Sequence, residues 1–156
     1  MKLLFVIFFT FNSLFSNDYT ILSFDNHPIN GTLINSNELS PFLAIIIAGS
    51  GPTDRDGNNS SMKSNYLKML AEELNKNGIS SFRYDKRGVS KSLGDIKSPN
   101  EIQFSDYVND VKSIINHFED IKKYKKIVII GHSEGSLVGM LASKSIADGF
   151  ISIAGA

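Results

Sequence analysis

The segment Ile127-Val128-Ile129-Ile130-Gly131-His132-Ser133-Glu134-Gly135-Ser136 carries residues that could do chemistry. Four apolar residues end in Gly-x-Ser-x-Gly, and Leu137, Val138, Met140 and Leu141 follow in a helix-like stretch. A serine hydroxyl is a weak nucleophile unless it is held rigid and exposed beside a base. A sharp strand-to-helix turn holds it that way, and this pattern puts Ser133 at the apex of one. Such a turn crowds the backbone on both sides, so the flanking positions fall to Gly131 and Gly135, which lack a Cβ. The chemistry expected is attack by Ser133 on a carbonyl carbon, with an acyl group carried covalently. The plainer alternative is an ordinary tight strand–helix turn; the apolar strand before the motif and the helix after it favour the nucleophile.

Two further loops hold polar residues in patterns worth weighing. Gly49 to Ser61 is rich in Gly, Asp and Asn and follows the apolar run Phe42–Ala48. It is not a phosphate loop, because Pro52-Thr53-Asp54 stands where Gly-Lys-Ser/Thr would be needed. Asp54-Arg55-Asp56-Gly57 has its glycine two positions early for an EF-hand calcium loop. A charged turn pinning the loop is the reading taken, and no metal or other cofactor is expected. The second loop, Asp85-Lys86-Arg87-Gly88, reads as a structural ion pair between Asp85 and Arg87. His27 and His117 read as surface or loop histidines. His132 adjoins Ser133, but on such a turn its side chain should not reach the hydroxyl as a base.

Composition narrows the field. The chain has 16 basic and 16 acidic residues, so its net charge of zero gives no electrostatic case for a nucleic-acid partner. There is no cysteine, which excludes disulfides, a thiolate zinc site and a cysteine nucleophile.

The elements that must position these loops follow from hydrophobic period. Tyr19–Phe24 and Ile29–Ile34 flank the turn-rich Asp25-Asn26-His27-Pro28 and predict an antiparallel hairpin. Phe42–Ala48 is a continuous apolar run, as a strand buried on both faces requires. Tyr66, Leu67, Leu70 and Leu74 mark a helix closed by Gly78, and Ile79–Tyr84 is the next strand. Phe104, Val108, Val111, Ile115 and Phe118 recur at helical spacing, with Ser105 or Asn100 as caps. Ile127–Ile130 is expected as the central strand, Ser136–Ala147 as the helix after the turn, and Phe150–Ala154 as a further strand. Strand alternating with helix implies a parallel sheet with right-handed crossovers.

The N-terminus reads as an address. Lys2 precedes the apolar run Leu3–Phe11, and Asn12–Ser16 is short and polar, so residues 1–16 are expected to be a secretory signal peptide. Residues 17–156 would then be one exported domain, periplasmic or secreted, with an uncleaved membrane anchor as the alternative.

The loop Ala48-Gly49-Ser50-Gly51-Pro52-Thr53-Asp54-Arg55-Asp56-Gly57-Asn58, the loop Arg83–Gly88 and the motif Gly131–Gly135 come in an order that resembles bacterial α/β-hydrolases of the esterase and serine-aminopeptidase-like group. The resemblance implies a three-layer sandwich around a mostly parallel sheet, here the N-terminal part of that fold, ending after the helix that follows Ser133 and one more strand. It implies an oxyanion hole of two backbone N–H groups, assigned to Glu134 and Ser50 with Gly51 as the alternate; the Glu134 carboxylate should point away. Relatives often carry histidine at the position of Ala48 and a second glycine at the position of Ser90. The family's triad runs Ser, then Asp or Glu, then His along the chain, and no histidine follows Ser133. Asp148 falls one strand too early for the usual acid.

These readings converge on an exported serine hydrolase cleaving a carboxylic ester or a peptide bond through Ser133, close to inactive as this chain alone. Its triad Asp and His would come from a C-terminal half not present here. The alternative is a non-catalytic remnant or interaction protein of the same ancestry. Self-association through the exposed edge of the last strand is expected.

Overall fold

The computed structural model describes residues 16–36 and 40–155. The apolar run Leu3–Phe11, and with it nearly all of the expected signal peptide, lies outside the described residues. Among the described residues no helix is long and apolar enough to cross a membrane.

The chain opens with strands β1 (Ser16–Leu22) and β2 (Pro28–Ile34), paired antiparallel through the register Tyr19↔Gly31. The turn between them closes on Asn26 in the left-handed region, φ 65°, with Ser23 N donating to His27 O at 2.9 Å. Three strand–helix units follow: β3 (Phe42–Ile47) with α1 (Tyr66–Lys76), β4 (Ser80–Tyr84) with α2 (Phe104–Asp120), and β5 (Lys126–His132) with α3 (Glu134–Ser143). Strand β6 (Gly149–Ile153) closes the order. Each expected element is present, with ends displaced by a few residues.

The six strands lie in the order β1-β2-β4-β3-β5-β6, antiparallel through β1, β2 and β4 and parallel from β4 to β6. β5 was expected at the centre, but β4 and β3 hold that place and β5 stands next to the last strand. After β3 the chain steps to one side, to β4, then crosses back over β3 to reach β5. Because such crossovers keep one hand, reversing direction moves the connecting helix to the opposite face. The packing agrees with this. Leu43, Ile45 and Ile47 of β3 share a core with Val111, Ile114, Ile115 and Phe118 of α2 and Val138 of α3. Ala44 and Ile46 face the other way, onto Leu67 and Ala71 of α1. Three layers result, and β3 is buried on both sides, as its unbroken apolar run required.

Helix α2 begins differently from expectation. Its cap is neither Ser105 nor Asn100 but Gln103, in a reciprocal capping box with Asp106, whose carboxylate accepts from Gln103 N at 2.8 Å. Asn100 is consumed in the 3₁₀ turn Pro99–Glu101, which Ser98 caps, and Ser105 already lies within the first helical turn.

Candidate active site

Helix α1 leaves β3 toward one face of the sheet and α3 leaves β5 toward the other, although β3 and β5 are neighbours. Their carboxyl ends therefore border a crevice, the place where open α/β sheets hold ligands. Ser133 stands at one lip, between β5 and α3, with φ 52° and ψ −122°. For a non-glycine residue that conformation costs on the order of 1–3 kcal/mol and persists only when its surroundings enforce it. Here they do. Ser133 N donates to Ile153 O at 2.9 Å, and Ser136 Oγ closes the turn onto Gly131 O at 2.7 Å.

The two flanking glycines are needed for separate reasons. A Cβ on Gly131 would lie 2.3 Å from Gly135 O, inside the turn itself. A Cβ on Gly135 would lie 2.5 Å from Ala48 O and 2.6 Å from Ile47 O, so this glycine lets α3 rest directly on the end of β3.

The opposite lip is the loop after β3. Gly49 is packed so close that a Cβ on it would sit 3.3 Å from Ser133 Cβ and 3.0 Å from His132 Nδ1. Ser50 and Gly51 continue from there on the exposed surface, with Gly51 at φ 73° and both carbonyls tied back to Thr53. Glu134 is the first residue of α3, where an amide has no partner within the helix. Ser133, Glu134 and the Gly49–Gly51 loop are thus brought together. A cavity of about 350 Å³ runs on from Gly51 and Glu134.

Lys86 joins the two lips, and the sequence reading missed its role. It is 3% exposed; its Nζ donates to Gly49 O and lies 3.4 Å from Glu134 Oε1. Burial lowers its pKa, and the Glu134 carboxylate opposes that shift. The Glu134 side chain therefore turns toward Lys86 rather than away from the site. The only signal was a lysine inside the Asp-x-Arg-Gly loop, and its burial was not readable from the sequence.

Asp85 and Arg87 do not pair with each other. Asp85 accepts from Arg55 N at 2.8 Å and from Arg55 Nη2 at 2.7 Å. Arg87 pairs with Asp110 of α2 at 2.6 Å and with Asp25 of the hairpin turn at 2.6 Å. A buried guanidinium has five donors to satisfy, which one carboxylate two residues away could not do. The charged turn Asp54–Asp56 pins its loop: Asp54 Oδ1 accepts from Asp56 N and Asn58 N, and Asp56 pairs with Arg83 at 2.8 Å.

All three histidines have structural partners. His27 Nε2 meets Ser92 O at 2.9 Å, His117 Nε2 meets Tyr19 Oη at 3.0 Å, and His132 Nδ1 meets Tyr66 Oη at 3.1 Å. His117 is a residue of α2 packed against Tyr19 and Phe118, not a surface or loop position.

The family model described as serine aminopeptidase, S33 matches residues 60–156, well over half of the chain. The chain belongs to the serine aminopeptidase S33 family. Solved structures show that this S33 member shares the α/β-hydrolase fold. An esterase from Pyrococcus furiosus is 24% identical, with a TM-score of 0.66 over 85% of this chain and 47% of that one. An α/β-hydrolase from Penicillium sp. is 18% identical, with a TM-score of 0.73 over 90% of this chain and 46% of that one. A Xanthomonas campestris protein described as an α/β serine hydrolase without lid is 20% identical, at a TM-score of 0.63, over 90% and 63%. The S33 chain spans about half the length of the first two. No curated protein matches it.

Proposed function

We propose that the protein is an exported serine hydrolase in which Ser133 is the acyl-forming nucleophile, acting on a carboxylic ester. The observation that carries this is the strained backbone of Ser133, enforced by Gly131 and Gly135 at the carboxyl edge of the sheet. Strain of this kind gathers where exposing a side chain serves chemistry. The Ser50 and Glu134 amides, with Gly51 as alternate, stabilise the developing oxyanion; one such donor is worth about 3 kcal/mol. The base and the acid behind it come from polypeptide outside residues 1–156, since His27, His117 and His132 are all engaged elsewhere. Export rests on Lys2 and the apolar run after it.

Residues 17–156 alone should turn over p-nitrophenyl acetate only at a trace level, the roughly 10³ to 10⁴-fold over water that binding and an oxyanion hole leave without a base. Adding the C-terminal half of a full-length relative should raise that by orders of magnitude, and Ser133→Ala should remove the gain. Turnover near 1 s⁻¹ by the chain alone, lost in Ser133→Ala, would overturn the assignment of the base.

A second reading, a non-catalytic interaction protein, draws on one observation. Helix α3 is apolar nearly all round, with Leu137, Met140 and Leu141 exposed. A helix of that kind is ordinarily covered on every side.

A further inference from the structure

The cavity beside Ser133 has chemistry of its own. Its volume of about 350 Å³ sits at the lower end of the range of roughly 300–1,000 Å³ usual for small-ligand pockets. One end is lined by Gly51 and Glu134, two of the candidate oxyanion residues, and Glu134 follows Ser133 directly in the chain. The walls beyond are Pro52, Val89, Leu93, Ile96, Ile102 and Tyr107. Val89, Leu93, Ile96 and Ile102 come from the chain between β4 and α2, Pro52 from the loop after β3 and Tyr107 from α2 itself.

This wall is built rather than loosely draped. Gly88 holds φ 77°, and a Cβ on it would lie 2.6 Å from Ile102 Cδ1, so Ile102 is seated against the turn. Gly88 N donates to Ser92 O at 2.9 Å, and Ser92 Oγ accepts from Asn30 N at 2.8 Å. Arg87 anchors the start of the same stretch to Asp25 and Asp110.

The charges on the lining decide what enters. Among the described residues Glu134 is its one carboxylate, and that group already faces Lys86 at 3.4 Å. Lys86, in turn, is spent on Gly49 O and Glu134. Among the described residues the free cation on the rim is Lys97, which is exposed. An ammonium group, such as the free amino terminus an aminopeptidase must hold, would meet no unpaired carboxylate on this lining, where Lys86 and Arg87 are already paired and Lys97 stands exposed at the rim.

We infer, resting on the reading of Ser133 as nucleophile, that this cavity receives the uncharged apolar chain of an ester and selects against substrates with a free amino terminus. The chain could belong to the acyl or to the alcohol side of the ester, and both present the same surface to Val89, Ile96 and Ile102.

Binding is tested first without chemistry, on the full chain carrying Ser133→Ala. Methyl ketones from 2-butanone to 2-decanone mimic an ester with no leaving group and are titrated while the methyl NMR signals of Leu93, Ile96 and Ile102 are followed. Those signals should shift together, and affinity should rise about fourfold per added methylene until the cavity is full. Leu93→Asp, a change at a half-exposed position, should erase most of that slope while leaving the melting curve in place. Leucinamide, which carries a free ammonium, should not move the same signals. Acylation of Ser133 in the unmodified chain, supplied with the C-terminal half of a full-length relative so that a base is present, is then followed by rapid-quench mass spectrometry with two ester series. One varies the acyl group at a fixed p-nitrophenyl leaving group, and the other varies the alcohol at a fixed acetyl group. The series with the steeper length dependence identifies which chain occupies the cavity. Ketone shifts without any acylation would uphold the cavity and refute the nucleophile. Acylation indifferent to length in both series, with no ketone shifts, would uphold the nucleophile and overturn the cavity. Leucinamide binding as tightly as 2-hexanone would overturn the charge selection.

Discussion

Lys86 and Gly49 are bonded across the crevice: the buried ammonium of the loop after β4 donates to the carbonyl of the loop after β3. The same nitrogen lies 3.4 Å from Glu134 Oε1, at the start of α3. One side chain thereby sets the spacing between the two backbone segments proposed to supply oxyanion donors. The loop after β3 is thus braced from the loop after β4.

Lys86→Met should therefore slow acylation of Ser133 by p-nitrophenyl esters by about 10- to 100-fold, since leaving Gly49 O and the Glu134 carboxylate without their donor costs on the order of 1–3 kcal/mol of positioning. Lys86→Arg should recover part of the loss. Single-turnover kinetics separates this from a folding defect, which would lower the reactive fraction but not the rate. An unchanged rate in Lys86→Met would show that the contact positions nothing.

Ser133 trades stability for exposure. At φ 52° and ψ −122° a glycine is unstrained while serine and alanine are not. Ser133→Gly should be more stable than Ser133→Ala by about 1–2 kcal/mol in urea titrations, and both should be unable to form an acyl-enzyme. Equal stabilities would mean that the turn holds no strain.

Gly135→Ala should do the opposite. Its new Cβ meets two backbone carbonyls, Ala48 O and Ile47 O, which cannot rotate away. Overpacking of this kind costs roughly 1–3 kcal/mol, measurable as a lower urea midpoint at unchanged slope. Gly51→Ala meets nothing within 4 Å, though its φ of 73° still disfavours a side chain, so it should cost less.

The ion pairs around Arg87 set the acid limb of stability. Asp110 is 1% exposed and Arg87 6%, so Asp110→Ala leaves a buried guanidinium with Asp25 alone and should cost about 3 kcal/mol or more. Asp25 has its pKa lowered from 3.8 to about 2, first by the hydrogen bond from Arg87 and despite some burial. A depressed carboxylate stabilises the fold above its unfolded pKa, and that stability is lost as pH falls through the folded one. Acid titrations of stability should therefore steepen between about pH 4 and pH 2, and Asp25→Asn should flatten that window.

Among the described residues β6 pairs with β5 alone, and Ile151 and Ile153 are 49% and 39% exposed. An apolar edge strand invites pairing with another chain. Light scattering should find the purified protein self-associating at micromolar concentrations, and Ile151→Lys should reduce this. A monodisperse wild-type monomer would contradict the expectation.

Local architecture was legible in the residues, because hydrophobic period and turn residues act over a few positions. The run Phe42–Ala48 could only be a strand buried on both faces, and Gly131 and Gly135 marked a turn too tight for side chains. The order of strand, helix and strand then implied a parallel sheet. What only the tertiary structure decided were relations between distant segments. The reversal of strand order that moves β5 off the centre is not written in any one element. The partners of Asp85 and Arg87 lie 30 residues back at Arg55, 62 back at Asp25 and 23 ahead at Asp110, so the nearest opposite charge in sequence was the wrong one. Nothing in the sequence marks Lys86 for burial; the Gly49 loop and the start of α3 bury it. Charge and burial are settled by which chains meet in space, and composition carries no record of that meeting.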